Sequence, residues 1–418
     1  MLQEIRDILI LQKREMETRL KEKYVERKTN IKLNNNIIKV IIGPRRAGKS
    51  FFAFHFLNKL GNFGYVNFDD EKLIDVQNYD EIIDALNSVY NNPKYVLFDE
   101  IQNIPKWELF INRLQRQGYT LVITGSNSNL LSKELSTHLT GRHFQINIFP
   151  FSFKEYLELE DKELTSSEIK EKLSTYLVSG GFPEPLVKDV EVKDYLSMLF
   201  NSIVYKDIVK RYKIRNVKEI EDLAYYLISN VANEYSFNSL TKISNIKSSH
   251  TIRKYISYLE ESFILFSLSR FSYKVKEQLS SNKKIYCIDN GFIQAKAFTI
   301  NPDMGKLYEN IVACALKKEE VTAGTTIYYW KNQQQEEVDF VIKKGARVEQ
   351  LIQVCYNLNN IKTKNREIRA IIKAGKQLRC NNLLIITEDK YGEEKTEWFG
   401  DKATIKYIPL WKWLLDKE

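Results

Sequence analysis

Two glycines, a lysine and a serine near the N-terminus have the spacing of a phosphate-binding loop. Residues 37–50 read IIKVIIGPRRAGKS, which places Gly48-Lys49-Ser50 four residues after Gly43. An apolar, β-branched run precedes the loop, and the helical pattern FFAFHFLNKL follows it. This context favours a phosphate loop over a chance glycine-rich turn, because such loops connect a buried strand to a helix N-terminus.

The residue types of this loop predict a nucleotide site with a magnesium ion. Backbone N–H groups of the loop would point at the β-phosphate. Lys49 would reach the β- and γ-phosphate oxygens, and Ser50 would ligate Mg²⁺. The predicted cofactors are therefore ATP and Mg²⁺. The predicted nucleotide-binding residues are Gly43, Pro44, Arg45, Arg46, Ala47, Gly48, Lys49 and Ser50.

Two adjacent acids follow a later apolar run. Residues 95–100 read YVLFDE, so Asp99 and Glu100 come at the end of a predicted strand. This is a Walker B pattern, in which Asp99 would hold Mg²⁺ and Glu100 would polarise the attacking water. The alternative is that the two carboxylates cap the next helix. Hydrolysis of ATP, as opposed to binding alone, depends on Glu100 acting as the base.

Two further positions are candidates for sensing or stabilising the γ-phosphate. The next strand ends in Thr-Gly-Ser-Asn, and Ser126, with Asn127 as second choice, is a candidate for orienting water near the γ-phosphate. The same residues also fit a helix N-cap. Arg142 lies beside the last predicted strand and could supply charge to a neighbour's γ-phosphate as an arginine finger. A surface arginine fits this position equally well.

The elements around these residues predict an α/β fold. Near-continuous apolar strands alternate with helices, a pattern typical of a parallel sheet that is covered on both faces. Residues 2–28 form a predicted leading helix whose apolar stripe is interrupted at Gln12 and Lys13. We expect this helix to pack on the core or on a neighbouring subunit.

Composition narrows the class of protein. The 418 residues suggest two to four domains. Four cysteines without a C-x-x-C pair disfavour a disulfide framework or a zinc site. The charged N-terminus and the lack of an apolar run of about 18 residues predict a soluble, cytoplasmic protein with no membrane partner. Residues 200–418 carry 36 Lys+Arg against 26 Asp+Glu, whereas residues 1–199 are balanced at 27 against 28.

Several motifs, taken in order, resemble one known family. They are GPRRAGKS, YVNFDD, VLFDEIQNI, LVITGSNSNLL, the Gly141-Arg142 pair, FPFSFKEYL and the SGGFPE of residues 179–184. The chain resembles the AAA+-type ATPases of archaea and bacteria that carry a C-terminal restriction-endonuclease-like domain. The resemblance implies an ATPase core, a helical lid, a winged helix and a nuclease-like tail. We expect Ser126 to report the γ-phosphate to the lid. The predicted domains are an N-terminal helix (1–32), the ATPase core (33–178), the helical lid (179–215), the winged helix (216–275) and the restriction-endonuclease-like domain (276–418).

The middle of the chain agrees with a winged helix-turn-helix. A predicted helix over residues 194–213 is followed by helices over 219–231, 237–243 and 248–262 and by the strand-like ILFSLSRFSY. His250, Arg253 and Lys254 lie on the early turns of the third helix of this motif, from which a recognition helix reaches the major groove. The alternative is a winged helix that serves only for packing or subunit contacts.

The tail departs from the nuclease pattern that the resemblance implies. Glu309 on a helix and Asp339 on a strand fit two metal-binding positions of such nucleases. The third position should read Glu-x-Lys, but it reads Gln353-Val354-Cys355. Gln is a weaker ligand for a hard cation, and Cys lacks the fixed charge of Lys. We therefore expect a degenerate nuclease site in a fold that is kept for binding or assembly.

These observations together predict Mg²⁺-dependent binding and hydrolysis of ATP, coupled to DNA binding or remodelling by a homo-oligomer. One alternative is an ATP-controlled switch or scaffold that acts on a protein partner. Another is an ATP-gated nuclease.

Overall fold

The computed structural model describes residues 2–29, 37–126, 143–188, 190–297, 303–398 and 400–417, without the side chains of 321–323. The chain divides into two compact units. The first unit contains residues 1–150 and 261–263, and the second contains residues 151–260 and 264–418. Among the described residues, no helix is long and apolar enough to cross a membrane.

The first unit is built on a five-stranded sheet in the order β2-β3-β4-β1-β5, and every pair of neighbouring strands is parallel. Strands β1 to β4 are buried almost throughout, as their apolar sequences predict, whereas the edge strand β5 is largely accessible. The parallel sheet expected from the sequence is therefore confirmed. Its elements are α1 (Leu2–Arg19), β1 (Ile38–Ile42), α2 (Lys49–Asn58), β2 (Phe63–Asn67), α3 (Glu71–Ile74), α4 (Tyr79–Tyr90), β3 (Tyr95–Asp99), α5 (Trp107–Arg116), β4 (Thr120–Gly125) and β5 (His143–Asn147).

The leading helix α1 packs on the core, as one of the two alternatives predicted. It ends at Arg19 rather than near residue 28, and its residues Ile5 and Leu9 belong to the core of the first unit. Gln12, which interrupts the apolar stripe, is buried. Its amide donates to Asn67 O at 3.0 Å and accepts from Asn67 N at 2.9 Å. The Gln12 side chain thus forms hydrogen bonds with the backbone N–H and C=O at the end of the edge strand β2.

The second unit contains a nine-stranded mixed sheet in the order β13-β14-β12-β11-β10-β9-β7-β8-β6. Strand β7 pairs with β8 antiparallel and with β9 parallel, so both of its edges are occupied. The helices are α6 (Phe153–Leu157), α7 (Ser166–Ser179), α8 (Pro183–Val187), α9 (Val192–Ser202), α10 (Val217–Ser229), α11 (Phe237–Ile243), α12 (Ser249–Glu261), α13 (Val275–Ser280), α14 (Asn290–Lys296), α15 (Met304–Ala323), α16 (Ile361–Leu378) and α17 (Leu410–Lys417). The strands are β6 (Glu234–Tyr235), β7 (Leu265–Arg270), β8 (Lys283–Cys287), β9 (Thr325–Lys331), β10 (Glu337–Lys344), β11 (Arg347–Val354), β12 (Leu383–Thr387), β13 (Gly392–Trp398) and β14 (Asp401–Pro409).

The sequence predicted one regular helix over residues 194–213, and the structure differs there. Helix α9 ends at Ser202 and continues as a π-helix over Ile203–Lys210, which buries Asp207. A π-helix widens each turn to an i→i+5 hydrogen bond. Its buried residues Ile203, Val204, Asp207 and Ile208 recur every four positions, a spacing that an α-helix also places on one face. For this reason the pattern of apolar residues does not reveal the change.

Candidate functional site

The phosphate loop takes the conformation that its glycines permit. Gly43 ends β1 with φ +155°, and a Cβ there would lie 1.9 Å from the backbone oxygen of Ile148. Gly48 has φ +93° and immediately precedes α2, whose N-terminus has no side-chain cap. A helix N-terminus without a side-chain cap can bind an anion, and this geometry fits a phosphate group.

Lys49 is buried and turned back onto its own loop. Its Nζ donates hydrogen bonds to the carbonyl oxygens of Gly43 at 3.2 Å and Pro44 at 2.9 Å. Because charge-assisted hydrogen bonds to phosphate are stronger than those to neutral carbonyls, an arriving phosphate can replace these partners. Arg45 lies 3.7 Å from the carboxylate of Asp69.

Buried Arg27 fixes the loop through its backbone, a role that no motif in the sequence indicated. Its guanidinium donates to Ala47 O at 2.8 Å and to Phe149 O at 3.2 Å. The neighbouring loop residue Arg46 is exposed and has φ +65°.

Asp99 and Ser50 meet beneath the phosphate loop. The hydroxyls of Ser50 and Thr124 both hydrogen-bond the Asp99 carboxylate, and Tyr65 donates to it at 3.4 Å. Burial, followed by the charge of Glu100, raises the pKa of Asp99, while the bonds from Thr124 and Ser50 oppose this shift. A hydroxyl and a carboxylate in contact are oxygen donors of the kind that Mg²⁺ prefers, so these residues fit the metal predicted there.

Glu100 and Ser126 also lie together, because β4 is inserted between the loop strand β1 and the acid strand β3. Glu100 has φ +51°, and its N–H donates to the Thr124 hydroxyl at 3.1 Å. Its carboxylate accepts from the Ser126 hydroxyl at 3.4 Å and from the amide of Gln102. Asn127 and Arg142, the other two predicted γ-phosphate residues, lie outside the described residues.

A second cluster of charged residues lies in the second unit, around Lys284. The sequence predicted that Glu309 and Asp339 share a site, and the structure brings them to one ammonium group. Lys284 Nζ lies 2.8 Å from Glu309, 3.1 Å from Asp339 and 2.6 Å from Glu337. The Lys284 side chain is 3% exposed. Neither Lys284 nor Glu337 was predicted, although a lysine that directly precedes the apolar run IYCI in a strand is a signal of this kind.

Gln353 belongs to this cluster, whereas Cys355, two residues later, belongs to the hydrophobic core. The Asp339 N–H donates to Gln353 Oε1 at 3.2 Å, and Gln353 Nε2 donates to Glu367 at 2.8 Å. Glu367 is a buried acid on α16 that the sequence did not single out. Cys355 lies instead in the hydrophobic core beside the sheet, where burial raises the pKa of its thiol to about 11.

Burial and mutual charge decide the protonation of this cluster. Burial alone would lower the pKa of Lys284, but Glu309, Asp339 and Glu337 raise it well above the ordinary value of a lysine. Burial, with the charge of Asp339, raises the pKa of Glu309 to about 7. The surrounding carboxylates thus favour the charged form of Lys284, and they outnumber it.

These side chains line a cavity of about 600 Å³. Its walls include Lys284, Glu309, Glu337, Asp339, Gln353 and Glu367. Across the described parts of the chain, no group of three or more His, Cys, Asp or Glu side chains is arranged to hold a metal ion. In this arrangement the ammonium of Lys284 lies between the carboxylates.

The remaining predicted residues also lie in the second unit. His250, Arg253 and Lys254 are exposed on α12, with the Arg253 guanidinium 4.4 Å from the ring centre of Phe237.

The SGGFPE motif contacts a buried acid of the second unit. Gly181 N donates to Asp289 at 2.7 Å, and Gly291 N donates to the other oxygen of that carboxylate at 2.8 Å. A Cβ on Gly180 would lie 1.8 Å from Asp289 Oδ1. The motif thus has a packing role within the second unit, and its predicted role as a nucleotide lid stays a prediction.

Comparison with known proteins agrees with the site in the first unit. Residues 35–157 match the AAA domain family, and residues 170–302 and 304–413 match two families described as domains of unknown function. The sheet order, the phosphate loop and the paired acids thus belong to a P-loop ATPase domain of the AAA type.

Two relatives align with nearly the whole chain. The uncharacterized protein MJ1544 of Methanocaldococcus jannaschii is 38% identical over 96% of this chain and 93% of its own length. An uncharacterized protein of Haemophilus influenzae is 31% identical over 94% of this chain and 98% of its own. The chain belongs to the same protein family as these two relatives.

Among solved structures, the Walker-type ATPase PABY2304 of Pyrococcus abyssi aligns with 63% of this chain and 91% of its own. The TM-score is 0.42 and the identity 14%.

Proposed function

We propose that the first unit binds Mg·ATP and hydrolyses it. The observation that carries this proposal is the convergence of Lys49, Ser50, Asp99, Glu100 and Ser126 around one uncapped helix N-terminus. Bound Mg²⁺ would offset the negative charge of the β- and γ-phosphate oxygens. Lys49 would leave the loop carbonyls and contact the same oxygens.

The proposed roles of Glu100 and Ser126 follow from their contact. Glu100 would orient a water molecule towards the γ-phosphorus and accept its proton as the bond to the leaving ADP breaks. Ser126, which donates to the Glu100 carboxylate, would hold that carboxylate or the water in place. Arg142 keeps its predicted role as a source of charge for a neighbour's γ-phosphate, and this role motivates the proposal of a homo-oligomer.

Two substitutions separate binding of ATP from its hydrolysis. Lys49→Ala should abolish ATP binding at concentrations that saturate the wild-type protein, because the buried ammonium is the main cation facing the phosphates. Glu100→Gln should keep ATP binding but lower kcat by roughly 10²–10⁴, the usual contribution of a general base. Binding is measured with a fluorescent ATP analogue and turnover by phosphate release. The exposed Glu71→Gln, in the same unit, is the matched control and should change neither. If Glu100→Gln hydrolysed ATP at the wild-type rate, Glu100 would not be the general base.

The proposed coupling partner is DNA, bound through a winged helix in the second unit. Support comes from the element order α10, β6, α11, α12, β7 and β8, in which β6 and β7 both pair antiparallel with β8. The exposed residues His250, Arg253 and Lys254 lie on α12, the third helix of this order. The excess of basic residues in the second half of the chain also supports this proposal.

A scaffold that acts on a protein partner is the second candidate. The observation in its favour is that β7 pairs with β9 as well as with β8. The strands of the proposed winged helix are thereby joined to the tail in one continuous sheet, as expected of an assembly module. In either case, we propose that the tail keeps a restriction-endonuclease-like fold and uses it for binding, since Gln353 replaces the third metal-binding acid of that pattern.

A further inference from the structure

Three carboxylates converge on the buried ammonium of Lys284. Glu337, Glu309 and Asp339 place oxygens at 2.6, 2.8 and 3.1 Å from its Nζ. These groups come from three elements, since Lys284 lies on β8, Glu309 on α15, and Glu337 and Asp339 on β10. We call these three acids the carboxylate cage.

Two of the three cage carboxylates also accept hydrogen bonds from groups other than Lys284. Tyr286 donates to Glu309 Oε1 at 2.7 Å, and the Val354 N–H donates at 2.9 Å to Asp339 Oδ2, the partner oxygen of the Oδ1 that faces the ammonium. Removing the ammonium would therefore leave these two carboxylates held beside each other. Carboxylate oxygens that converge on one point are the ligands that hard divalent cations select. They would need to close in by a few tenths of an ångström to reach metal–oxygen distances of roughly 2.0–2.6 Å.

We propose that Lys284 acts as an internal cation that fills a divalent-cation site, so that the carboxylate cage admits a metal ion only when this ammonium is removed. The proposal goes beyond the ATPase of the first unit. In this proposal, the site lacks a metal ion because Lys284 occupies it, and not only because Gln353 and Cys355 replace two residues of the nuclease pattern. Glu309 and Asp339 keep their positions, and a side chain of the same chain takes the place of the ion.

A buried lysine is more than a neutral filler in such a cage. Breaking a buried ion pair leaves uncompensated charge, which is far more costly than never having built the pair. The cage therefore needs a cation, and Lys284 supplies one that cannot dissociate or be chelated. Lys284 lies on β8, a strand of the proposed winged helix, and its partners lie on β10 and α15 of the tail. The ammonium therefore also connects the proposed winged helix to the tail.

The test is Mn²⁺ binding to the full chain without nucleotide, followed by electron paramagnetic resonance and by the shift in Tm. Lys284→Met should gain one Mn²⁺ site per chain, with an affinity at least about tenfold above that of any site in the wild-type protein. Its Tm, lowered by the loss of the ammonium, should rise again when Mn²⁺ binds the folded state. Adding Asp339→Asn to Lys284→Met should abolish both effects.

A second variant covers the case in which Lys284→Met does not fold. Lys284→Gln combined with Glu337→Gln removes one charge of each sign and leaves Glu309 and Asp339 to bind Mn²⁺. If folded protein of either variant gains no Mn²⁺ site, the proposal is wrong. It is also wrong if the wild-type protein binds Mn²⁺ and Asp339→Asn alone abolishes that binding. The comparison of the wild-type protein with Asp339→Asn can be made even if neither Lys284 variant folds.

Discussion

Asp289 shows how a single buried carboxylate fixes a glycine-rich loop in the second unit. It accepts hydrogen bonds from the N–H groups of Gly181 and Gly291 and is 5% exposed. Gly180 allows this close approach because a side chain there would overlap the Asp289 carboxylate. Burial raises the pKa of Asp289 to about 6, and the two N–H donors lower it only in part.

This raised pKa predicts how the stability of the protein depends on pH. The folded pKa of about 6 exceeds the unfolded value, which is near 3.8. The contribution of Asp289 to stability is therefore fully present below pH 4 and is lost as pH rises through 6. Between pH 4 and 7, the wild-type protein should lose up to about 3 kcal/mol of unfolding free energy relative to Asp289→Asn. Denaturant titrations at each pH measure this difference.

The matched control for this prediction is Asp416→Asn, which changes an exposed aspartate in the same unit. The difference between its unfolding free energy and that of the wild-type protein should stay constant over the same pH range. A constant difference for Asp289→Asn as well would show that Asp289 does not titrate with a raised pKa in the folded protein.

At the scale of elements, α1 completes the edge of the parallel sheet. An edge strand leaves backbone N–H and C=O groups unpaired. The Gln12 side chain pairs both groups of Asn67 at the end of β2, and its surroundings are buried. The helix thus contributes apolar contacts and also backbone-like hydrogen bonds to the sheet.

Gln12→Leu should therefore destabilise the protein by about 1–3 kcal/mol, although it makes the helix stripe more apolar. The substitution keeps the volume but leaves a buried N–H and C=O without partners. Leu11→Gln changes the neighbouring residue, which is 62% exposed, and should stay within about 0.5 kcal/mol of the wild-type protein. Chemical denaturation of the three proteins gives the comparison. If Gln12→Leu were as stable as the wild-type protein, water would have to replace Gln12 as the hydrogen-bond partner of the Asn67 N–H and C=O.

Local patterns predicted the elements well, because apolar spacing and turn residues are local properties. Helix α11 has the predicted bounds 237–243, and the phosphate loop lies between β1 and α2 as expected. The charged cavity is different. Lys284 contacts Asp339 across 55 residues of sequence, and Arg27 contacts Phe149 across 122. Such partners depend on the order of strands in the sheet. The spacing of apolar residues, with a period of 2 in strands and 3.6 in helices, does not encode that order.

At the scale of the whole chain, charge and topology bear on what ATP hydrolysis would drive. The proposed winged helix lies in the half that carries the basic excess, and its candidate recognition residues are exposed. Glu260, near the end of the same helix, accepts a hydrogen bond from Ser267 on β7. That acid is thus engaged within the second unit.

If DNA is the partner, double-stranded DNA should bind the full chain and raise its ATPase rate. Because Lys and Arg contacts to phosphate release counterions, binding should weaken steeply as salt rises. Charge reversal by Arg253→Glu with Lys254→Glu should reduce both binding and stimulation, and the basal ATPase rate should stay unchanged. The exposed pair Lys402→Glu with Lys406→Glu, on β14, makes the same change in net charge and should have a smaller effect.

The same experiment separates the two candidate functions when oligomeric state is followed by size-exclusion chromatography with and without ATP. DNA-stimulated turnover that depends on Arg253 and Lys254 supports a DNA-coupled ATPase. If DNA at low salt neither binds nor stimulates, that proposal fails. ATP-dependent assembly without any response to DNA would instead support the scaffold, because the binding energy of ATP would then order subunits rather than act on a nucleic acid.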